Sequence, residues 1–589
     1  MHWTSIPSAA LHATHAGQLA EDVNGSNVVL VSFGQISTPL DIQPTALANP
    51  IGIVYDADGA VTDTLLGIGA GAADLCSTNA AYGGPDAYSP DGHLAHALVI
   101  LNGNCAHTSG DLPHFQYELA RVLGRVIGLD WAELNENVVT QRPSPTADDY
   151  AGFPLMHAIE PRCGSSPPCF AGEDQPKMDD RAAVSRLYPV TSANIASFAG
   201  KQLYTENTGR IYGVVYFNRA AGNSGQPMQG VKVVARWINP ATNLPSTQYT
   251  AASISGFLFR GNAGNPVTGF SSPTGGRYDQ FGSDDPSLEG YYDLSGLEFP
   301  DGRSTAQYQI TLEAVGSLCV DSAAVGPYRT GQVQPSGTAE PIIISVTKGS
   351  EITRDIVMSG SANELGIVAS TFAAPAKLPP AEWRSTLSGY GDVDYYSFSA
   401  RADRTMMFKV TAVDELNQPT QNKSQPVLGI WADSDAEGSP PQVAATHFNT
   451  FETGTTALNL QFLSTGEFKI GVADDRGDGR PDFRYRAYAL YADTVSPDRA
   501  SVQGGTALTI RGMGFRPGTT ASIGVNNAPV ISLTSNSMVI AAPQLPDGVQ
   551  SISIQTPDGS KSNMINALTY GAGPGDRLIL LQARIRQHP

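Results

Sequence analysis

Apolar residues recur along this chain with two different periods. In the first third, short runs of strand character, "NVVLVSF" (27–33), "IGIVYD" (51–56) and "HALVILN" (96–102), are interleaved with two segments of helical spacing near 113–129 and 178–187. Beyond about residue 190 the period is two. Alternating strands such as "GRIYGVVYFN" and "VKVVARWI" are separated by Gly, Pro, Ser and Asn clusters, the pattern of β-sandwiches. A Gly/Ser/Pro-rich stretch at 260–290 reads as a loop excursion, and "AAPAKLPPAEW" (373–383) as a linker or edge entry. The expected fold class is multidomain: an α/β (α+β) head at 1–190, then three all-β sandwich units at 205–362, 380–493 and 494–573, with a tail at 574–589.

Composition adds compartment and partner class. The 589 residues are only 15% charged, against roughly 25% for ordinary soluble domains, and include 61 Gly and 41 Pro, which suits turn-rich β modules. A net charge of −19 argues against nucleic acid, whose phosphates need clustered Lys and Arg. Five cysteines allow two bridges, Cys76–Cys105 and Cys163–Cys169, leaving Cys319 over. The alternative, metal binding, lacks zinc-finger spacing, so an oxidising compartment is favoured. The chain has no run of 18 apolar residues, and its first 15 residues lack the basic start and apolar core of a signal peptide. The expected setting is secreted or cell-surface, with the signal not present in this sequence.

The helical segment near 113–129 raises a chemical question. Phe115, Leu119, Val122, Leu123, Val126 and Ile127 form an apolar stripe, and Glu118, Arg121 and Arg125 fall on another face that periodicity alone reads as solvated. The frame "RVLGRVIGLDW" (121–131) also has the spacing of a zinc-protease helix, with two ligand positions at i and i+4, a base position after the first, a helix-breaking Gly128 and a third ligand position three residues later. "FPLMHAI" places Met156 25 residues after Trp131, and "KMDDRAAVSRLYP" (177–189) is similar to a closing helix. Together these resemble a matrixin-like metzincin domain over about 25–190. The resemblance implies a metal-centred cleft above a Met-containing turn.

The side chains do not carry that chemistry. Arg121, Arg125 and Trp131 stand at the ligand positions and Val122 at the base position. A guanidinium has no lone pair to give a cation and indole offers no ligand nitrogen. A second register, Tyr117-Glu118-x-x-Arg121-x-x-Gly124, recovers a Glu but no His. The expectation is a non-catalytic relative whose Arg121 and Arg125 pair with Glu118, Asp130 or Glu133; binding of a carboxylate in the old cleft is the alternative. His93, His96, His107 and His114 are the remaining zinc candidates, but scattered histidines of this kind are more often surface or core residues, and zinc is not expected. His157 reads as turn structure.

The β units carry resemblances of their own. Residues 209–240 resemble the opening of carboxypeptidase-regulatory-like (transthyretin-like) sandwiches, completed by "YQITLEAVG" and "EITRDIVMSG". Residues 385–492 resemble pre-peptidase C-terminal domains through "GDVDYYSFSA", "TGEFKIGVADD" and "YRAYALYA". Within them "DDRGDGRPD" approaches a calcium loop, with Asp474, Asp478 and Asp482 as candidates and Arg476 in a ligand position; an acidic hairpin turn is the competing account. Calcium is the one cofactor left open. Residues 494–571 look like an immunoglobulin-like IPT/TIG domain, with Pro497, Gly504, Gly505, Gly512, Gly514 and Phe515.

Three functions remain on this reading. The first is an exterior binding or adhesion protein, with a protein or polysaccharide partner and an inactive metalloprotease-like head. The second is an active secreted zinc endopeptidase with an unrecognised metal site. The third is a structural stalk.

Overall fold

The computed structural model describes residues 2–571 except 162–168, 219–224, 260–266, 268–282, 284, 316–336, 338, 360–369, 390, 447–453, 476 and 478. Cys163, Cys319, Arg476, Asp478, most of the 260–290 excursion and the 574–589 tail therefore lie outside the described residues.

The head is built on a three-stranded sheet. Ile51–Asp56 runs parallel to the central Leu94–Asn102, which pairs antiparallel with Ala81–Tyr88. The central helix, Leu112–Val126, lies across it, packing Val122 and Val126 onto Ala81, Ala97 and Val99. Two expectations need correcting. "NVVLVSF" yields only the two-residue strand Val29–Leu30, paired with Ile36–Ser37 and exposed, because no longer strand lies beside it. Ala81–Tyr88 is a strand whose "YGGPD" gave no sequence signal; it lies at the edge of the sheet, where Pro85 need not donate. The head also extends past 190, since Lys201 Nζ donates to the Thr4 and Ile6 carbonyls and Gln202 N–H to that of Pro7.

The next unit is a sandwich. Leu244–Ile254, Lys232–Asn239, Thr305–Glu313 and Ile342–Thr347 form one sheet. Gly209–Asn218 centres the other, flanked antiparallel by Tyr291–Leu297 and parallel by Glu351–Thr353 and Ile356–Ser359. Val215, Val233, Tyr292, Tyr308 and Val346 fill the space between them.

The third unit begins near Phe372, earlier than the expected 380, because Ala376–Lys377 pairs with Val393–Ala400. The expected break at 493/494 does not exist as a linker. Arg484–Ser496 is one strand: its first half pairs with Arg404–Val413 and its second with Ala507–Met513. The third and fourth units thus share a strand while keeping separate cores, one around Phe398, Phe408 and Tyr485 and the other around Leu508, Ile523 and Tyr570.

Candidate functional site

The central helix is held from below by a turn of the chain. Around Gly124 the packing leaves no room for a side chain: a Cβ would lie 2.3 Å from Met156 Sδ and 2.9 Å from the Trp3 ring. Trp3 Nε1 donates to the Ala120 carbonyl at 2.8 Å. Gly128, with φ +90°, turns the chain out of the helix, and Ala132 N–H then donates to the Met156 carbonyl at 2.8 Å. The closing helix, Met178–Leu187, contributes Asp180, whose carboxylate accepts from the Leu155, Met156 and Lys177 amides. Helix, helix break, Met156 turn and closing helix therefore interlock, and Asp180 is the pin that sequence reasoning missed.

This frame brings Arg121, Arg125 and Trp131 together. The two guanidinium carbons lie 5.1 and 5.2 Å from the indole centroid, so both cations stack on one aromatic ring. Val122 does not face them; it is buried against the sheet. This set does not fit a zinc ion, because two fixed positive charges and an indole occupy the space where neutral lone-pair donors would be needed.

The Glu–Arg face is not solvated as periodicity suggested: Glu118 is 4% exposed and Arg121 5%. Arg121 Nη1 donates to Glu118 (3.2 and 3.4 Å) and to Glu160 (2.7 Å), and Nη2 to the His157 carbonyl (2.8 Å). Arg125 pairs with Asp130 at 2.6 Å. The expected partners Glu118 and Asp130 are thus present. The Glu133 carbonyl accepts from Lys232 Nζ of the neighbouring sandwich. Glu160, 39 residues from Arg121, had no local signal.

Burial, with Glu160 beside it, lifts the Glu118 carboxyl to about 8 against the pull of Arg121. Burial also acts to raise Glu160, but hydrogen bonds from His114 and Glu118 and the charge of Arg121 hold it below the ordinary carboxylate range. His114 is pushed up by its hydrogen bond to Glu160, against burial. The shifts favour the protonated form at Glu118 and the ionised form at Glu160, with the Arg121 guanidinium against both.

His114, Glu118 and Glu160 each offer a ligand atom within 4.8 Å of the others, the one such group among the described residues. His114 and Glu118 are four apart on one helix face, a spacing that was readable; Glu160 was not. Arg121 Nη1 already lies against both carboxylates and supplies the positive charge there. The other zinc candidates are dispersed. His93 is exposed beside Asp91, His96 is buried with Nδ1 on Asp86 (2.5 Å), and His107 is exposed. His157 is turn structure as expected, its Nδ1 engaged by Ile159, and burial lowers it to about 4.

In the proposed calcium loop, Asp482 is buried between Arg480 (2.6 Å) and Lys423 (3.0 Å), which hold its carboxyl far below the usual range even though burial opposes them. Asp474 accepts from Gln425 N–H at 2.6 Å. These two acids therefore do not open toward a shared cation, and Asp478 lies outside the described residues. Cys76 and Cys105 form the expected disulfide. The expected Cys163–Cys169 bridge involves Cys163, which lies outside the described residues. No helix among the described residues is long and apolar enough to cross a membrane.

Comparison with known proteins places one module. Residues 491–570 match the IPT/TIG domain family, three residues earlier than the sequence suggested, because the shared strand supplies its first edge. No curated protein matches the chain. Among solved structures, the pre-peptidase C-terminal domain of a Bacillus anthracis collagenase is 17% identical over 19% of this chain and 89% of its own, with a TM-score of 0.14. A Bacteroides ovatus protein of a mixed-linkage glucan utilization locus, solved with a heptasaccharide, is 13% identical over 45% and 54%, at 0.13. An auxiliary nutrient binding protein of the same organism is 20% identical over 14% of this chain and 20% of its own, at 0.12. The chain thus spans about a fifth of that last protein's length. At these scores the likenesses define neither the fold of the whole chain nor its activity.

Proposed function

We propose that this is a secreted or cell-surface binding protein whose head keeps the frame of a matrixin-like metalloprotease without its chemistry. One observation carries the reading: Arg121, Arg125 and Trp131, the positions that the family spacing assigns to metal ligands, come together with both guanidinium groups over the Trp131 ring. Val122, at the base position, is buried in the sheet core and cannot activate water. The Cys76–Cys105 disulfide supports an oxidising, exterior setting. The sandwich modules, joined through a shared strand, support a role in presenting a binding surface to a protein or polysaccharide.

The test is zinc content together with proteolysis. The reading expects purified protein to hold well under one equivalent of zinc and to leave casein and gelatin intact. One equivalent of zinc with chelator-sensitive cleavage overturns it. A second reading, a metal held by His114, Glu118 and Glu160, rests on their mutual distances. It requires the metal to displace the Arg121 guanidinium, so it predicts that Arg121→Met gains metal affinity.

A further inference from the structure

Between the head and the first sandwich lies a cleft of about 390 Å³. Trp131 reaches it from the segment that follows the central helix, Met156 from the supporting turn, Asp179 and Ala182 from the closing helix, and Ala252 and Leu294 from the sandwich. It lies outside the Arg121 cluster, although Trp131 borders both. Its walls are mainly aliphatic, and its volume is that of a small-ligand site at a domain junction.

The charges around the cleft are nearly all spoken for. Arg186 pairs with Asp293 at 3.0 Å, and Asp130 with Arg125. Asp180 takes three backbone amides. Lys232 Nζ is held by the Glu133 carbonyl (2.9 Å) and by Glu136 (3.2 Å), and Glu133 is itself partnered. Asp179 differs. It accepts one hydrogen bond, from Ala252 N–H at 2.7 Å, and has no ion pair among the described residues. It is enclosed by protein yet keeps accessible surface, which the cleft supplies. Lys232 acts on Asp179 only through space, without an ion pair. A largely apolar chamber with one carboxyl that has no ion-pair partner is complementary to a cation on an apolar stem.

We propose that this cleft binds an amphipathic organic cation, a primary ammonium or guanidinium on an apolar body such as a lysine or arginine side chain presents, with Asp179 as counter-ion. The site stands whether or not the head descends from a protease. Burial, and Asp180 next to it, lift Asp179 to about 7. A bound cation favours the ionised form, so affinity rises with pH, by about tenfold between pH 6 and pH 8 for a carboxyl titrating near 7.

Calorimetric titration of the full chain with phenethylammonium and with its neutral analogue 2-phenylethanol tests this. Phenethylammonium binds at least about tenfold more tightly, as expected of a charge-assisted contact. Asp179→Asn removes that preference, and Ala252→Leu, on the strand face opposite the core residue Ala251, weakens both probes by filling the cleft. Both variants are checked for native hydrogen exchange in the closing helix. Equal binding of the two probes, binding of neither, or an Asp179→Asn protein that keeps the preference overturns the proposal. None of these outcomes depends on the zinc assay, so the two proposals fail separately.

Discussion

Replacing Arg121 by Met tests whether the cation now holds the head together. The guanidinium makes contacts of 2.7 Å to Glu160, 3.2 Å to Glu118 and 2.8 Å to the His157 carbonyl, and it stacks on Trp131 and Tyr117. Met fills much of the same space but leaves Glu160 with His114, 3.6 Å away, and the hydrogen bond from Glu118, and leaves a buried carbonyl without this donor. Breaking a buried ion pair by removing one partner costs about 3–5 kcal/mol. Glu118 favours its protonated form, so chiefly one carboxylate, Glu160, loses its guanidinium, and we place the loss at the low end, about 3 kcal/mol at pH 7. Arg121→Lys recovers little of it, because one ammonium cannot span both carboxylates and the His157 carbonyl. Amide hydrogen exchange of residues 115–126 reads this opening energy without requiring the multidomain chain to unfold in one step. A loss below about 1 kcal/mol would refute the structural role, being within the range of exposed pairs.

Other substitutions probe the same frame. Gly124→Ala drives a methyl into Met156 and Trp3 and costs about 1–3 kcal/mol by overpacking, read in the same exchange experiment. Glu118 gains its proton on folding, so its contribution is complete below pH 4 and is lost as pH rises through about 8. The head is therefore more stable at pH 6.5 than at pH 8.5, and Glu118→Gln shrinks that difference; an unchanged profile counts against a protonated Glu118. Removing the Cys76–Cys105 bridge by a double Ser substitution, at a separation of 29 residues, lowers stability by about 3.5 kcal/mol on the chain-entropy relation, measured by urea unfolding with and without reductant. Millimolar calcium leaves the melting temperature of the Asp474–Asp482 unit unchanged, because Arg480 and Lys423 already neutralise Asp482; a rise of several degrees would reopen the calcium reading.

Local features were legible and convergent ones were not. The central and closing helices and the helix break at Gly128 were readable from spacing, because each is fixed by neighbours a few residues away; Gly124 and Met156 were marked only by the family resemblance, since the contacts that fix them come from distant parts of the chain. The burial of Glu118 and Arg121 was not readable: periodicity assigns charges to solvent, and only Glu160 and the His157 carbonyl, brought in by the Met156 turn, make burial tolerable. The strand Ala81–Tyr88 was hidden because its hydrogen-bonding edge asks little of its side chains. The shared strand Arg484–Ser496 was hidden because a boundary was expected where the composition changes, whereas the backbone pairs on through it.

The proposal of a metalloprotease-like frame without metal ligands is tested most directly by installing the ligands. Arg121→His, Arg125→His and Trp131→His together place three imidazoles at the positions where both guanidinium groups now lie over the Trp131 ring. Zinc per chain, measured after dialysis in a variant whose central helix keeps its exchange protection, should be one equivalent, against well under one for the native chain. A protected variant that retains no zinc, or a native chain that retains a full equivalent, would contradict the account.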